Sequence, residues 1–225
     1  MGWLDLFRRK QTIPSSFVQE YENLFPTHIP KKTLLSQLHF LVLDTETTGL
    51  NTRSDYIISF GSVKVNGYTI KINSVKEFYL KPKKLGREAI KIHGLIKSEG
   101  TLSLQNFIQE VLQEMGNLIL VAHHAGFDKA MLEKAGKSFG LRKLYNPIID
   151  TMALAMRLEF GKNHNPHLIN MADFSLDSLC RRYHIPLDDR HTASGDAFLT
   201  AQLLLKLLKI AEGKKIHTFG DLMQR

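Results

Sequence analysis

The sequence predicts an α/β protein built on a mixed β-sheet. Three observations carry that expectation. An apolar run, FLVLD, opens the region after His39 as a buried strand. Two runs rich in β-branched and aromatic residues then flank Asn66-Gly67, which makes the opening an antiparallel meander. From Leu104 onward, helix-spaced segments alternate with short apolar runs, the order of a layered α/β domain.

Each element has its own signal. FLVLDT begins at Phe40 and is apolar until Asp44. YIISFGSVKV follows as a strand and ends at Asn66-Gly67, a dipeptide that favours a type I′ turn. TIKINSVKEFYLKP supplies the returning strand or strands, closed by Pro82. LQNFIQEVLQEM spaces its apolar residues for a helix, NLILVAH is a short buried strand, and FDKAMLEKAGKSFG is helical with Gly140 as its stop. PIID is a brief strand whose Asp150 is placed to cap the helix of TMALAMRLEF. SLDSLCRRYHIP is a further helix, with Ser175 as N-cap and Pro186 beyond its end. The last long helix runs from about Thr192 to Glu212, with Ala197, Leu204, Leu208 and Ala211 on its core face. No internal repeat or low-complexity tract interrupts the pattern.

Residues 1–36 differ from the rest. They carry Pro14, Pro26 and Pro30, basic clusters at Arg8-Arg9-Lys10 and Lys31-Lys32, and two amphipathic pieces, WLDLF and SFVQEYENLF. This reads as an N-terminal extension that packs on the domain or on a partner, with residues 37–225 as one domain.

The chain has 225 residues and 43% hydrophobic content, enough for one good core. Its formal charge is +8 and its pI near 9.5, which favours a polyanionic partner, nucleic acid being the usual one. The single cysteine, Cys180, rules out an intrachain disulfide and fits a reducing, cytoplasmic setting. Cys180 itself reads as a packed residue. MGWLDLFRRKQ lacks the features of a secretory leader, and no apolar run approaches the roughly 20 residues needed to cross a bilayer, so no membrane partner is expected.

The stretch LDTETTGL holds the central question. Residues two apart in a strand share a face, so Asp44 and Glu46 can meet at one spot. Two carboxylates at close range repel, and one is pushed toward protonation. A divalent cation removes that conflict, and hard oxygen ligands suit Mg²⁺ or Mn²⁺. Taken alone, the pair also fits a solvent-facing Glu46 and an Asp44 that caps a turn. Two further segments change the weighing. AHHAGFDKAML sets Asp128 where a buried strand becomes a helix, and RHTASGDAFLTAQLL sets His191 before a helix and Asp196 in about its first turn. Each acid alone fits a helix N-terminus favoured by the dipole. Together, four acids and a histidine lie at the ends of three core elements, as active sites do on open α/β sheets.

DTETTG, HHAGFD and HTASGD resemble, in that order, the three motifs of the DEDDh, or DnaQ-like, 3′–5′ exonucleases, a group with the ribonuclease H-like fold. The resemblance covers roughly Phe40 to Leu208 and is similar to the exonuclease domain of the DNA polymerase III epsilon subunit. It implies two Mg²⁺ or Mn²⁺ ions. Asp44, Glu46 and Asp196 would bind one metal, Asp44 would touch the second, and Asp128 would hold the second metal's shell. His191 would be the general base. It further implies that Thr47, Gly49 and Leu50, after the catalytic acids, meet the sugar and base of the 3′-terminal nucleotide. His93 in KIHGL resembles the family's I-H-G element beside that nucleotide, and Phe127 would line the pocket or serve the core. The second motif departs from the usual H-N-A-x-F-D, with His124 at the asparagine position, which bears on substrate preference more than on catalysis.

The implied activity is metal-dependent removal of nucleotides from single-stranded or frayed 3′ ends of DNA. RNA 3′-end trimming and a non-catalytic nucleic-acid-binding subunit are the rival readings, and the presence of all five catalytic candidates speaks against the last. WLDLF resembles the short peptide by which bacterial replication proteins dock on a sliding clamp, so a polymerase or clamp contact through the extension is a further expectation. NHNPH, Asn163 to His167, reads as a polar loop, and Asp177 as a residue on a solvated helix face.

Overall fold

The computed structural model of the chain describes residues 13–26, 28–81, 101–161 and 169–224. Six strands form one sheet: β1 (His39–Thr47), β2 (Ile57–Asn66), β3 (Thr69–Leu80), β4 (Thr101–Leu102), β5 (Ile119–Ala122) and β6 (Ile148–Asp150). Their order is β4-β3-β2-β1-β5-β6. The β1–β2 and β2–β3 pairs are antiparallel, and β3–β4, β1–β5 and β5–β6 are parallel. The mixed sheet with an antiparallel opening is therefore the one expected. The helices are α1 (Ser16–Glu22), α2 (Leu104–Met115), α3 (Ala125–Gly136), α4 (Thr151–Phe160), α5 (Leu176–Arg182), α6 (Ala193–Gly213) and α7 (Phe219–Met223). None of the described helices is long and apolar enough to cross a membrane.

β1 is buried on both faces, and its alternation sorts the core into two layers. Phe40 and Val42 pack with α4, α5 and α6 on one side. Leu41 and Leu43 pack with α1, α2 and α3 on the other. The period-2 rule then carries past the apolar run: Asp44 and Glu46 continue the α6 face, and Thr45 continues the α3 face.

Several local expectations are met at atomic level. Asp150 caps α4 by accepting from Met152 N and Ala153 N, at 2.9 and 3.3 Å. Ser175 caps α5 through Ser178 N, and Thr192 caps α6 through Gly195 N. Gly140 takes a left-handed φ of 88° where the α3 segment ends. Ala197, Leu204, Leu208 and Ala211 are all buried, as is Cys180.

Three details differ. The hairpin turn is Gly67-Tyr68, one residue later than expected, because Asn66 still pairs with Thr69 in the ladder. Only its first central residue, Gly67, has a positive φ (55°), the mark of a type II′ rather than a type I′ turn. The return after that turn is one strand of twelve residues, one of the two forms expected. Asp177 is not simply solvated: it accepts a hydrogen bond from Arg190 Nε at 2.7 Å.

The segment before β1 is tied to the domain at several points. Phe17, Val18 and Tyr21 of α1 are buried in the α2–α3 layer. The Tyr21 hydroxyl donates to Asn146 Oδ1 at 2.6 Å and accepts from Tyr145 N at 2.9 Å. Leu35 N donates to the His217 carbonyl and Phe219 N to that of Thr33, so the residues leading into β1 pair with the start of α7.

Candidate active site

Asp44, Glu46 and Asp196 come together at the end of β1. Each offers a carboxylate oxygen, and these oxygens lie within 4.8 Å of one another. β1 supplies the first two from one face of the strand, and the first turn of α6 supplies the third. The β1–β2 register shifts between Glu46 and Thr47, where Ile58 of β2 is skipped, so the ladder turns irregular where the acids of β1 end.

A glycine makes this meeting possible. Gly61 of β2 is the ladder partner of Asp44. A Cβ at Gly61 would stand 2.1 Å from the Ala193 carbonyl carbon and 2.2 Å from Ser194 N. No real side chain tolerates that distance. The bare backbone at Gly61 lets the N-terminus of α6 lie directly on the sheet, and Asp196 arrives beside Asp44. An isolated glycine inside a strand is the signal that could have located this contact.

Asp128 enters from the opposite face. It sits in the first turn of α3, is buried, and its Oδ1 accepts from Thr45 Oγ1 at 2.7 Å. Thr45, between the two β1 acids, therefore connects the two sides of the site. It went unmarked in the sequence because its partner, Asp128, reaches that face only through the packing of α3 on the sheet. Burial pushes the Asp128 carboxyl up to about 7, against the hydrogen bonds from Thr45 that favour its charged form. Asp44 is pushed well above the usual carboxylate range by burial, then by the negative charges of Asp128, Asp196 and Glu46, while Arg190 acts the other way. An all-oxygen donor set that resists its own ionisation suits a hard divalent cation.

His191 is exposed on the turn just before α6, at a left-handed φ of 67°. Arg190, its neighbour, is ion-paired with Asp196 Oδ1 and donates to Asp177. Nothing in the sequence singled out this arginine.

The expected substrate contacts are distributed as follows. Thr47 Oγ1 donates to the Gly49 carbonyl at 2.8 Å. The loop closes through Thr48, whose N donates to the Tyr56 carbonyl and whose hydroxyl donates to Asp55 Oδ1. The space beside Gly49 is filled by the Asp55 carboxylate, 2.7 Å from where a Cβ would be. Leu50 follows, 87% exposed. His124 occupies the N-cap position of α3 at φ 63°, ψ 41°, without a side-chain capping bond, in a left-handed conformation in which asparagine and histidine are both enriched. That shared backbone tolerance explains how a histidine stands where asparagine is usual. Phe127 is partly buried against the α2–α3 layer. His123 hydrogen-bonds Thr151 Oγ1 at 2.9 Å, and burial, then the neighbouring His124, push it down to about 4. His93, NHNPH and WLDLF lie outside the described residues.

A cleft of about 1000 Å³ opens behind the same loop, lined by Tyr56, Ile57, Leu80 and Met131 and by the cations Arg53, Lys81, Lys134 and Lys137.

Comparison with known proteins gives the geometry a context. Residues 41–204 match the model of the family RNase_T, described as exonuclease. A PolC-type DNA polymerase III of Bacillus subtilis is 35% identical over 194 residues, covering 84% of this chain and 13% of that protein. The chain thus spans only a small part of the polymerases it matches. Among solved structures, an exonuclease I aligns with a TM-score of 0.61 at 20% identity, covering 80% of this chain and 42% of the other. E. coli exonuclease I in complex with a dT13 oligonucleotide aligns with a TM-score of 0.60 at 18% identity, covering 80% and 43%. These alignments establish a shared ribonuclease H-like fold.

Proposed function

This chain belongs to the RNase_T exonuclease family, with DnaQ-like motifs, and on that premise we propose that it is a metal-dependent 3′–5′ exonuclease of DNA that releases nucleoside 5′-monophosphates. One observation carries the reading: the oxygens of Asp44, Glu46 and Asp196, from two separate elements, converge within 4.8 Å. Asp44, Glu46 and Asp196, with Asp128 beside them, would hold two Mg²⁺ or Mn²⁺ ions, whose contribution is charge neutralisation at the scissile phosphate and a more acidic attacking water.

The chain's own residues do the rest. His191 takes the proton from the attacking water, a role that suits an imidazole near neutral pH. Its exposed position before α6 leaves it open to solvent and substrate. Thr45 holds Asp128 from across the strand and keeps its carboxylate oriented. The closed loop from Thr47 to Tyr56 presents Thr47, Gly49 and the exposed Leu50 to the terminal nucleotide. His124 and Phe127 border the same end from α3. The net charge of +8 supports a polyanionic substrate. The polymerase relatives support a working place beside a replicative polymerase, with WLDLF as the candidate clamp contact.

The test uses 5′-labelled single-stranded DNA and RNA of one sequence, with Mn²⁺, beside the Asp44→Ala protein. The expected result is a ladder shrinking from the 3′ end on DNA and lost in the variant. A faster ladder on RNA would reassign the substrate. No ladder on either strand from folded protein would overturn the activity.

A further inference from the structure

Arg190 stands at the site without a part in the chemistry above. It bridges two acids from different helices. Its Nε donates to Asp177 Oδ1 on α5 at 2.7 Å, and its Nη1 is ion-paired with Asp196 Oδ1 on α6. The side chain is largely buried, at 20% exposed. The turn that carries it is fastened to the helix behind it. Thr192 Oγ1 donates to the Asp189 carbonyl at 3.0 Å, and that carbonyl fills the space where Gly195 lacks a side chain. Arg190 is therefore held over Asp196 by its own backbone and by Asp177 together.

Asp196 is also one of the three acids whose oxygens converge. A guanidinium on Asp196 and a divalent cation in the cluster are both positive, and at contact distance they repel. They also draw on the same carboxylate. Asp177 lies outside the acid triad, so its bond to Nε survives when Nη1 lets go.

We propose that Arg190 is a resident counter-cation of the acid cluster: it neutralises Asp196 in the metal-free protein, yields that carboxylate to an entering divalent ion, and is retained by Asp177 when it does. Arg190 is thus a positioning residue that acts through Asp196 and holds the site's metal affinity below what its acids alone would give. This rests on the metal-site reading above.

The experiment reads metal binding rather than turnover. Mn²⁺ is titrated calorimetrically into the full-length protein without nucleic acid, for wild type, Arg190→Gln, Arg190→Lys and Asp177→Asn. Removing the charge in Arg190→Gln should tighten Mn²⁺ binding by roughly three- to tenfold. Arg190→Lys keeps the charge and should stay within about twofold of wild type. Asp177→Asn leaves the guanidinium with Asp196 as its remaining acid and should weaken binding, the opposite direction. Wild-type binding with Arg190→Gln unchanged or weaker would overturn the counter-cation and leave the metal site standing. Should Arg190→Gln not fold, Asp177→Asn decides: unchanged or tighter binding overturns the idea. No Mn²⁺ binding by folded wild type would remove both the metal site and the role of Arg190.

Discussion

Gly61 lies opposite Asp44 in the β1–β2 ladder, and the space of its missing side chain is occupied by the backbone of Ala193 and Ser194. The distance between α6 and the sheet, and so the position of Asp196, depends on this one residue. Gly61→Ala forces a methyl group against fixed backbone 2.1 Å away. The expected cost is about 1–3 kcal/mol, the usual scale of overpacking, with loss of most turnover as Asp196 moves off Asp44. Urea denaturation and a nuclease assay on the same preparation check both parts, and a fully active, equally stable variant would contradict the contact.

His191 is exposed and immediately precedes the N-cap of α6. Its replacement by alanine should leave the fold intact, because no core contact is lost. Single-turnover cleavage should slow by roughly 10²–10⁴-fold, the scale of a general base. An unchanged single-turnover rate would take His191 out of that role.

Asp128 makes stability depend on pH in an unusual direction. Its carboxyl is pushed up to about 7 in the folded chain, above the ordinary value of 3.8. The folded state therefore holds the proton more tightly than the unfolded one. The stability this contributes is full below the unfolded value and is lost as pH rises through the folded one. Asp128→Asn keeps an acceptor for Thr45 and never ionises. In metal-free buffer the variant should gain on wild type as pH rises from about 4 through 7, and Asp44, whose carboxyl the Asp128 charge pushes up, adds to the gain with the same sign. His123, pushed down to about 4, adds a trend of opposite sign, but it is common to both proteins and cancels in the difference. Thermal melts across the range decide, and a pH-independent difference would contradict the shift.

Tyr21 joins α1 to the domain through a hydroxyl that donates to Asn146 Oδ1 and accepts from Tyr145 N. Tyr21→Phe leaves the buried Asn146 amide oxygen and the part-buried Tyr145 N–H without that hydroxyl. The expected loss is about 1–3 kcal/mol, measured by denaturant unfolding, with little change in nuclease rate. A neutral substitution would mean that water or a shifted side chain replaces the hydroxyl.

Much of this protein was legible before its structure. The apolar runs placed strands and helices, because periods of two and 3.6 are written in side-chain order. Caps such as Asp150 and Ser175 could be read because capping is local chemistry. Asp44 and Glu46 could be paired because strand geometry puts residues two apart on one face. The hairpin turn was misplaced by one residue because the Asn66–Thr69 pairing, a contact between strands, decides where the ladder stops.

What the sequence by itself determined is therefore whatever depends on neighbours along the chain: element types, caps, and the three acidic motifs at element ends. What only the tertiary structure decided depends on neighbours across it. Asp196 reaches Asp44 because Gly61 has no side chain, Asp128 is buried against Thr45 from the opposite face, and Arg190 lies between Asp177 and Asp196. These residues are separated by up to well over a hundred positions in the chain. Their distances are set by how closely α3 and α6 pack on the sheet, and no local periodicity encodes that spacing.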